Sequence, residues 1–156
     1  MRVRLIAVGT RAPGWVRTAC EDYITRLGSH LPVSVTEIGV SPRSRGASPE
    51  RAVAREGERV LAALRRDDYL VALDERGTEF TTRELATWLK ARMQEGVDLA
   101  FVIGGPDGLA AEVLARSRLR WSLSRLTLPH ALARVVLVEQ LYRAMSLIAG
   151  HPYHRD

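Results

Sequence analysis

The sequence predicts an α/β fold, a mostly parallel sheet flanked by helices on both faces. Three observations predict it. Segments of strand character alternate with amphipathic helical segments along the whole chain, the pattern that crossover connections impose. Two of the strand segments, YLVAL at 69–73 and LAFVI at 99–103, are apolar throughout, which fits strands covered on both faces. The helical segments are punctuated by proline or capping residues before them and glycine after them, as short crossover helices require.

Residues 2–8, RVRLIAV, alternate and read as the first strand, and 9–14 form a loop in which Pro13 suits a helix start. A helix over 15–27 follows, with Val16, Ala19, Tyr23 and Leu27 on one side and Gly28 as its stop. The second strand is VSVTEIGV, 33–40. SPRSRGASP, 41–49, carries two prolines and two arginines and reads as a basic loop. Ser48 and Pro49 then supply an N-cap and first helical residue for a helix to about Arg66.

The third strand is 69–73, and 74–77, DERG, turn the chain. Thr81 and Glu84 make a capping box for a helix to about Met93, stopped by Gly96. The fourth strand, 99–103, breaks into GGPDG, 104–108, before a short helix over 109–116. LSRLTLP, 123–129, reads as a short strand, and an apolar helix over 131–149 ends the regular structure.

With 156 residues the chain fits one domain, long enough to bury about 68–70% of its unfolded surface without staples. The chain has no run of about 18 uncharged apolar residues, so no membrane-spanning helix is expected. No signal peptide opens the chain, and Cys20 is the only cysteine, so the expectation is a cytoplasmic protein without disulfides. The net charge is +5, and Lys90 is the sole lysine among 23 basic residues. Arginine's planar fork suits phosphate, which makes nucleic acid a plausible partner, although a GC-rich genome produces the same bias.

Ligands of open parallel sheets bind beyond the carboxyl ends of the strands. GGPDG stands there, and its glycines allow close backbone approach. It matches neither a P-loop nor G-x-G-x-x-G, so it is either a tight connection or a ligand-binding turn of another kind. LSRLTLP, if adjacent, offers apolar walls suited to an adenine ring. The last helix is apolar around most of its circumference, which predicts burial against a second copy. Glu139 and Arg143 are placed as an i,i+4 ion pair. The tail GHPYHRD holds two histidines; with His130 they make only a poor zinc set, and no metal is expected. Either the tail is a polar end, or Tyr153, His154 and Arg155 form a site for proton transfer, stacking and phosphate.

IAVGT at 6–10, Leu73 with Asp74, FVIGGPDGL at 101–109 and WSLSRLTLPHALARVVLVEQLYRAMSLIAGHPYHR at 121–155 together resemble the bacterial ribosomal RNA methyltransferases of the SPOUT superfamily that act on N3 of a pseudouridine in 23S rRNA. The resemblance spans nearly the whole chain and implies one SPOUT methyltransferase domain over 1–156, closed by a C-terminal trefoil knot. It implies a homodimer that binds S-adenosylmethionine. Leu73, Gly104, Gly105, Gly108 and the run Leu123, Ser124, Arg125, Leu126, Thr127 and Leu128 are then cofactor residues. Asp107 stands where the family more often has glutamate. His154 is the candidate base and Tyr153 positions the target base, while Arg155 and Arg143 hold phosphate or the developing anion. A chain this short has no separate RNA-binding domain, so the expected substrate is 23S rRNA in the ribosome. The rival readings are a non-catalytic ribosome-binding or RNA-binding dimer, and a small-molecule nucleotide enzyme built on GGPDG.

Overall fold

The computed structural model describes residues 1–43 and 48–154. Four residues of the basic loop, 44–47, and Arg155 of the tail lie outside the described residues. The elements run β1 (Val3–Val8), α1 (Gly14–Leu27), β2 (Val33–Ile38), α2 (Pro49–Ala63), β3 (Tyr69–Glu79), α3 (Thr82–Glu95), β4 (Leu99–Ile103), α4 (Ala111–Arg116), β5 (Leu119–Ser122) and α5 (His130–Ile148).

The strands form one sheet in the order β2-β1-β4-β3-β5, every described pairing parallel. All of β4 is buried, as an apolar strand at the centre of a covered sheet must be. Alternate residues of β1 split the core. Val3, Leu5 and Ala7 face α1, α3 and α5, whereas Ile6 and Val8 face α2 and α4. The connections through α1 and α3 step the sheet one way, and those through α2 and α4 step it the other way on the opposite face. All four crossovers therefore share one hand, as parallel crossovers require. Cys20 lies in the first of these cores, 8% exposed, and burial pushes its thiol pKa up.

Local chemistry sets the boundaries. The Thr81 hydroxyl accepts from Glu84 N–H at 3.2 Å while the Glu84 carboxylate accepts from Thr81 N–H at 2.7 Å, which completes the capping box. Gly96 closes the same helix in the left-handed conformation. Ser48 occupies the N-cap of α2 without a side-chain bond, and that helix ends at Ala63 rather than near Arg66.

Two expectations need correction. Residues 74–77 do not end β3: they bulge from the ladder between Leu73 and Thr78, both paired with Trp121. Gly77 makes this possible, since a Cβ there would stand 2.5 Å from the Arg120 carbonyl carbon. The last strand is Leu119–Ser122, and 123–129 is a loop instead of a strand. This loop returns the chain from the sheet edge to α5, which packs between α1 and α3.

Candidate active site

A cavity of about 490 Å³ opens at the carboxyl ends of β3, β4 and β5. Three segments supply most of its walls, and Leu114 of α4 with His130 and Ala133 of α5 complete them. Leu73 stands at the point where β3 bulges, the turn after β4 contributes Gly104, Gly105 and Gly108, and the loop after β5 contributes Leu123, Ser124, Leu126, Thr127 and Leu128. These are the predicted residues with one exception. Arg125 does not line the cavity: its side chain is 87% exposed and paired with Glu79 at 3.1 Å. Asp74, Glu75 and Asp107 also line it, acidic residues to which the sequence reading gave no cofactor role.

The glycine turn is shaped by close approach. Gly108 donates its N–H to Gly105 O at 3.1 Å and has φ +83°, a region open mainly to glycine. A Cβ on Gly104 would meet the Gly108 carbonyl carbon at 2.7 Å. The turn folds back on itself, and its three glycines present backbone to the cavity beside Pro106 and Asp107.

The start of α5 fixes this turn to the rest of the sheet. His130 Nδ1–H donates to Gly104 O at 2.5 Å, and its Nε2 accepts from Arg134 Nη2 at 3.1 Å. Arg134 is 4% exposed, yet its guanidinium also donates to Gly9 O at 2.5 Å and pairs with Glu37 at 3.4 Å, so this buried charge is compensated. Burial and then the neighbouring Arg134 push the His130 pKa down, which keeps the ring neutral with its proton on Nδ1. Sequence reasoning weighed His130 only as a poor zinc ligand and gave Arg134 no role. Their i,i+4 spacing at the head of α5 was the available signal.

The tail is anchored. Gly150 N–H donates to Leu147 O at 3.2 Å and His151 N–H to Ser146 O at 2.8 Å, with Gly150 at φ +67°; this is the Schellman closure of a helix. Tyr153 then folds back. Its ring stands 4.6 Å from that of Tyr142, its hydroxyl donates to Glu139 Oε1 at 3.2 Å, and the Tyr23 hydroxyl lies at 3.4 Å. Arg143 pairs with Glu139 at 2.6 Å and lies over the Tyr153 ring at 4.9 Å. Burial, followed by the bond with Tyr23, raises the Tyr153 pKa, so the phenol stays protonated. His154 is half-buried beside this group.

Tail and cavity are not brought together within one chain. Tyr153 folds back as far as Glu139, midway along α5, whereas the cavity is lined by His130 and Ala133 at the start of that helix and by no described residue of the tail. Among the described residues no cluster of three or more His, Cys, Asp or Glu side chains could hold a metal, and no helix is long and apolar enough to cross a membrane.

The family model described as "Predicted SPOUT methyltransferase" matches residues 1–154. The chain belongs to the SPOUT methyltransferase family. Among curated SPOUT relatives, Ribosomal RNA large subunit methyltransferase H of Thiobacillus denitrificans is 53% identical over 100% of both chains. The protein of the same name from Alkalilimnicola ehrlichii is 52% identical over 99% of each. Of solved structures, a methylase family protein from Haemophilus influenzae Rd KW20 matches with a TM-score of 0.55 at 20% identity, covering 99% of this chain and 70% of that one. That likeness bears on the fold alone, and it agrees with the parallel α/β sheet seen here.

Proposed function

We propose that this SPOUT chain is a cytoplasmic, S-adenosylmethionine-dependent methyltransferase of 23S rRNA that acts as a homodimer on N3 of a pseudouridine in the ribosome. The observation that carries the reading is the glycine-roofed cavity at the strand ends, in a chain about half identical over its full length to ribosomal RNA large subunit methyltransferases H. Passage of the C-terminal segment through a trefoil knot, the fold of the family, is part of this reading.

The cavity suits the cofactor. Its volume of about 490 Å³ falls within the usual range for small-molecule sites, roughly 300–1,000 Å³. Leu73, Leu123, Leu126 and Leu128 offer apolar surface for an adenine ring, and the glycine turn presents backbone polar groups. Asp74 and Glu75 offer negative charge for a cationic group. When bound, the sulfonium supplies an electrophilic methyl. The residues of the chain must align the acceptor nitrogen and remove its proton, because a neutral imide nitrogen is a poor nucleophile.

The tail supplies the groups for that task. His154 takes the N3 proton, and Tyr153, held by Glu139, Tyr142 and Arg143, positions the pyrimidine ring. Arg155 and Arg143 stabilise the negative charge that develops on the ring or hold a flanking phosphate. Since no described residue of the tail lines the cavity of its own chain, each working site combines the cavity of one protomer with the tail of its partner. Leu132 and Val136, half-exposed on α5, share a helix face at i,i+4 and fit the contact between copies.

The test is transfer of labelled methyl from S-adenosylmethionine to ribosomes that lack the modification, followed by mapping of the modified base. Label at N3 of one pseudouridine of 23S rRNA is expected. A protein that binds ribosomes but neither binds the cofactor nor transfers label would be a non-catalytic factor, and the proposal would fall.

A further inference from the structure

Arg43 and Glu56 stand outside the cavity wall, yet they reach its glycine turn from behind. Glu56 sits in the middle of α2 and is 2% exposed. A carboxylate that far from water needs donors. One short segment provides them. Ser41 N–H donates to Glu56 Oε1 at 2.8 Å, and the Arg43 guanidinium bonds both carboxylate oxygens, Nη2 to Oε2 at 3.4 Å. The same guanidinium donates its Nε–H to Asp107 Oδ2 at 3.0 Å and an Nη1–H to Ser41 O at 2.7 Å. One turn further along α2, Arg59 holds Gly39 O at 2.6 Å and Ser41 Oγ at 2.7 Å. The chain leaving β2 is thus clamped to α2 at several points, and its only described polar link onward is to Asp107.

Asp107 lies inside the turn that Gly105 and Gly108 close, and it lines the cavity. The turn also rests directly on the buried carboxylate: a Cβ on Gly105 would stand 3.4 Å from Glu56 Oε2 and 3.1 Å from Val8 Cγ1. His130 fixes the turn at Gly104 from one side, and Arg43 fixes it at Asp107 from the other. A loop of small residues has little packing of its own to define its shape, so such outer contacts set it.

We propose that Arg43 is a positioning residue for the cofactor cavity: anchored by buried Glu56, it holds Asp107, and with it the 104–108 turn, in the shape that receives the S-adenosyl group. The identity of the ligand rests on the cofactor reading above; the positioning of the turn does not. One consequence is that the segment leaving β2, residues 39–43, and the cofactor cavity form one mechanical unit, so a change in either is felt by the other.

Two measurements test this. In the ligand-free protein, amide hydrogen exchange at Gly108 is expected to accelerate roughly tenfold in Asp107→Asn and in Arg43→Ala/Glu56→Gln, with α5 unchanged. The second substitution in that pair spares the fold an unpaired buried carboxylate. By calorimetry with S-adenosylhomocysteine, each variant is expected to raise Kd about five- to tenfold, Arg43→Lys by less, and the triple variant no further than the worse of its parents. Wild-type exchange at Gly108 in folded variants would overturn the proposal whatever the ligand. Additive losses in Kd would overturn it too, since Asp107 would then act on the ligand independently of Arg43. Altered exchange in a protein that never binds S-adenosylhomocysteine would support the positioning of the turn and reject the cofactor reading instead.

Discussion

The imidazole of His130 donates to the carbonyl oxygen of Gly104 at 2.5 Å, so the first residue of α5 is bonded to the residue that directly follows β4. The bond requires a proton on Nδ1, and the Arg134 contact requires a lone pair on Nε2. Protonation of the ring satisfies the first and breaks the second. Burial and Arg134 place the folded-state pKa below the ordinary value, so in acid the unfolded chain takes up the proton first. Stability from this group is therefore full above about pH 6.5 and is lost as pH falls through that value toward the folded-state pKa. Urea midpoints measured between pH 8 and pH 5 are expected to fall on the acid side. His130→Asn, whose amide can still donate to Gly104, is expected to flatten that part of the profile.

The separation of tail from cavity gives a complementation experiment. A chain truncated after Gly150 is expected to bind S-adenosylhomocysteine but to lose methylation, whereas Gly104→Val, which thrusts a side chain at the Gly108 backbone, is expected to lose cofactor binding. Mixed dimers of the two variants hold one intact cavity facing one intact tail, and should regain a sizeable part of wild-type activity. Mixed dimers as inactive as their parents would mean that each tail serves its own chain.

His154→Ala and Arg155→Ala are each expected to lower methylation of ribosomes by about 100-fold or more, the usual scale for a positioned acid-base group, with cofactor affinity unchanged. Near-normal turnover in both would remove the tail from the reaction.

Gly57 yields a prediction about stability alone. Alanine is the better helix former by about 1 kcal/mol, yet a Cβ at this site of α2 would stand 2.4 Å from Ala110 Cβ. Overpacking of this kind typically costs about 1–3 kcal/mol. Gly57→Ala is expected to lower the melting temperature by several degrees despite its helix propensity.

Leu132→Glu/Val136→Glu places two carboxylates on the half-exposed apolar stripe of α5. Sedimentation should show dissociation to monomer with native circular dichroism. An unaltered dimer would move the contact elsewhere.

Much of the fold was legible because its signals are local. The capping box at Thr81, the glycine stops at Gly96 and Gly150 and the doubly apolar β4 each follow from a few neighbouring residues. The misread places depend on distant partners. Residues 74–77 look like a turn because of DERG, but β5 lies alongside and Gly77 lets its backbone approach, so β3 resumes beyond the bulge. LSRLTLP has strand-like alternation but pairs with no strand, and its leucines instead wall a cavity. All but one of the cofactor residues named from the sequence lie on that wall; the polar brace behind it could not be named. His130 reaches Gly104, Arg134 reaches Gly9 and Arg43 reaches Asp107, residues that only the crossovers make neighbours.

The single thiol has a practical consequence. Cys20 is packed beneath α1 in the core shared by α1, α3 and α5, and its raised pKa keeps it in the unreactive protonated form. A thiol reagent can therefore count only molecules whose α1 has come away from the sheet. The chain carries its own stopwatch for opening, readable by labelling rate without any engineered probe.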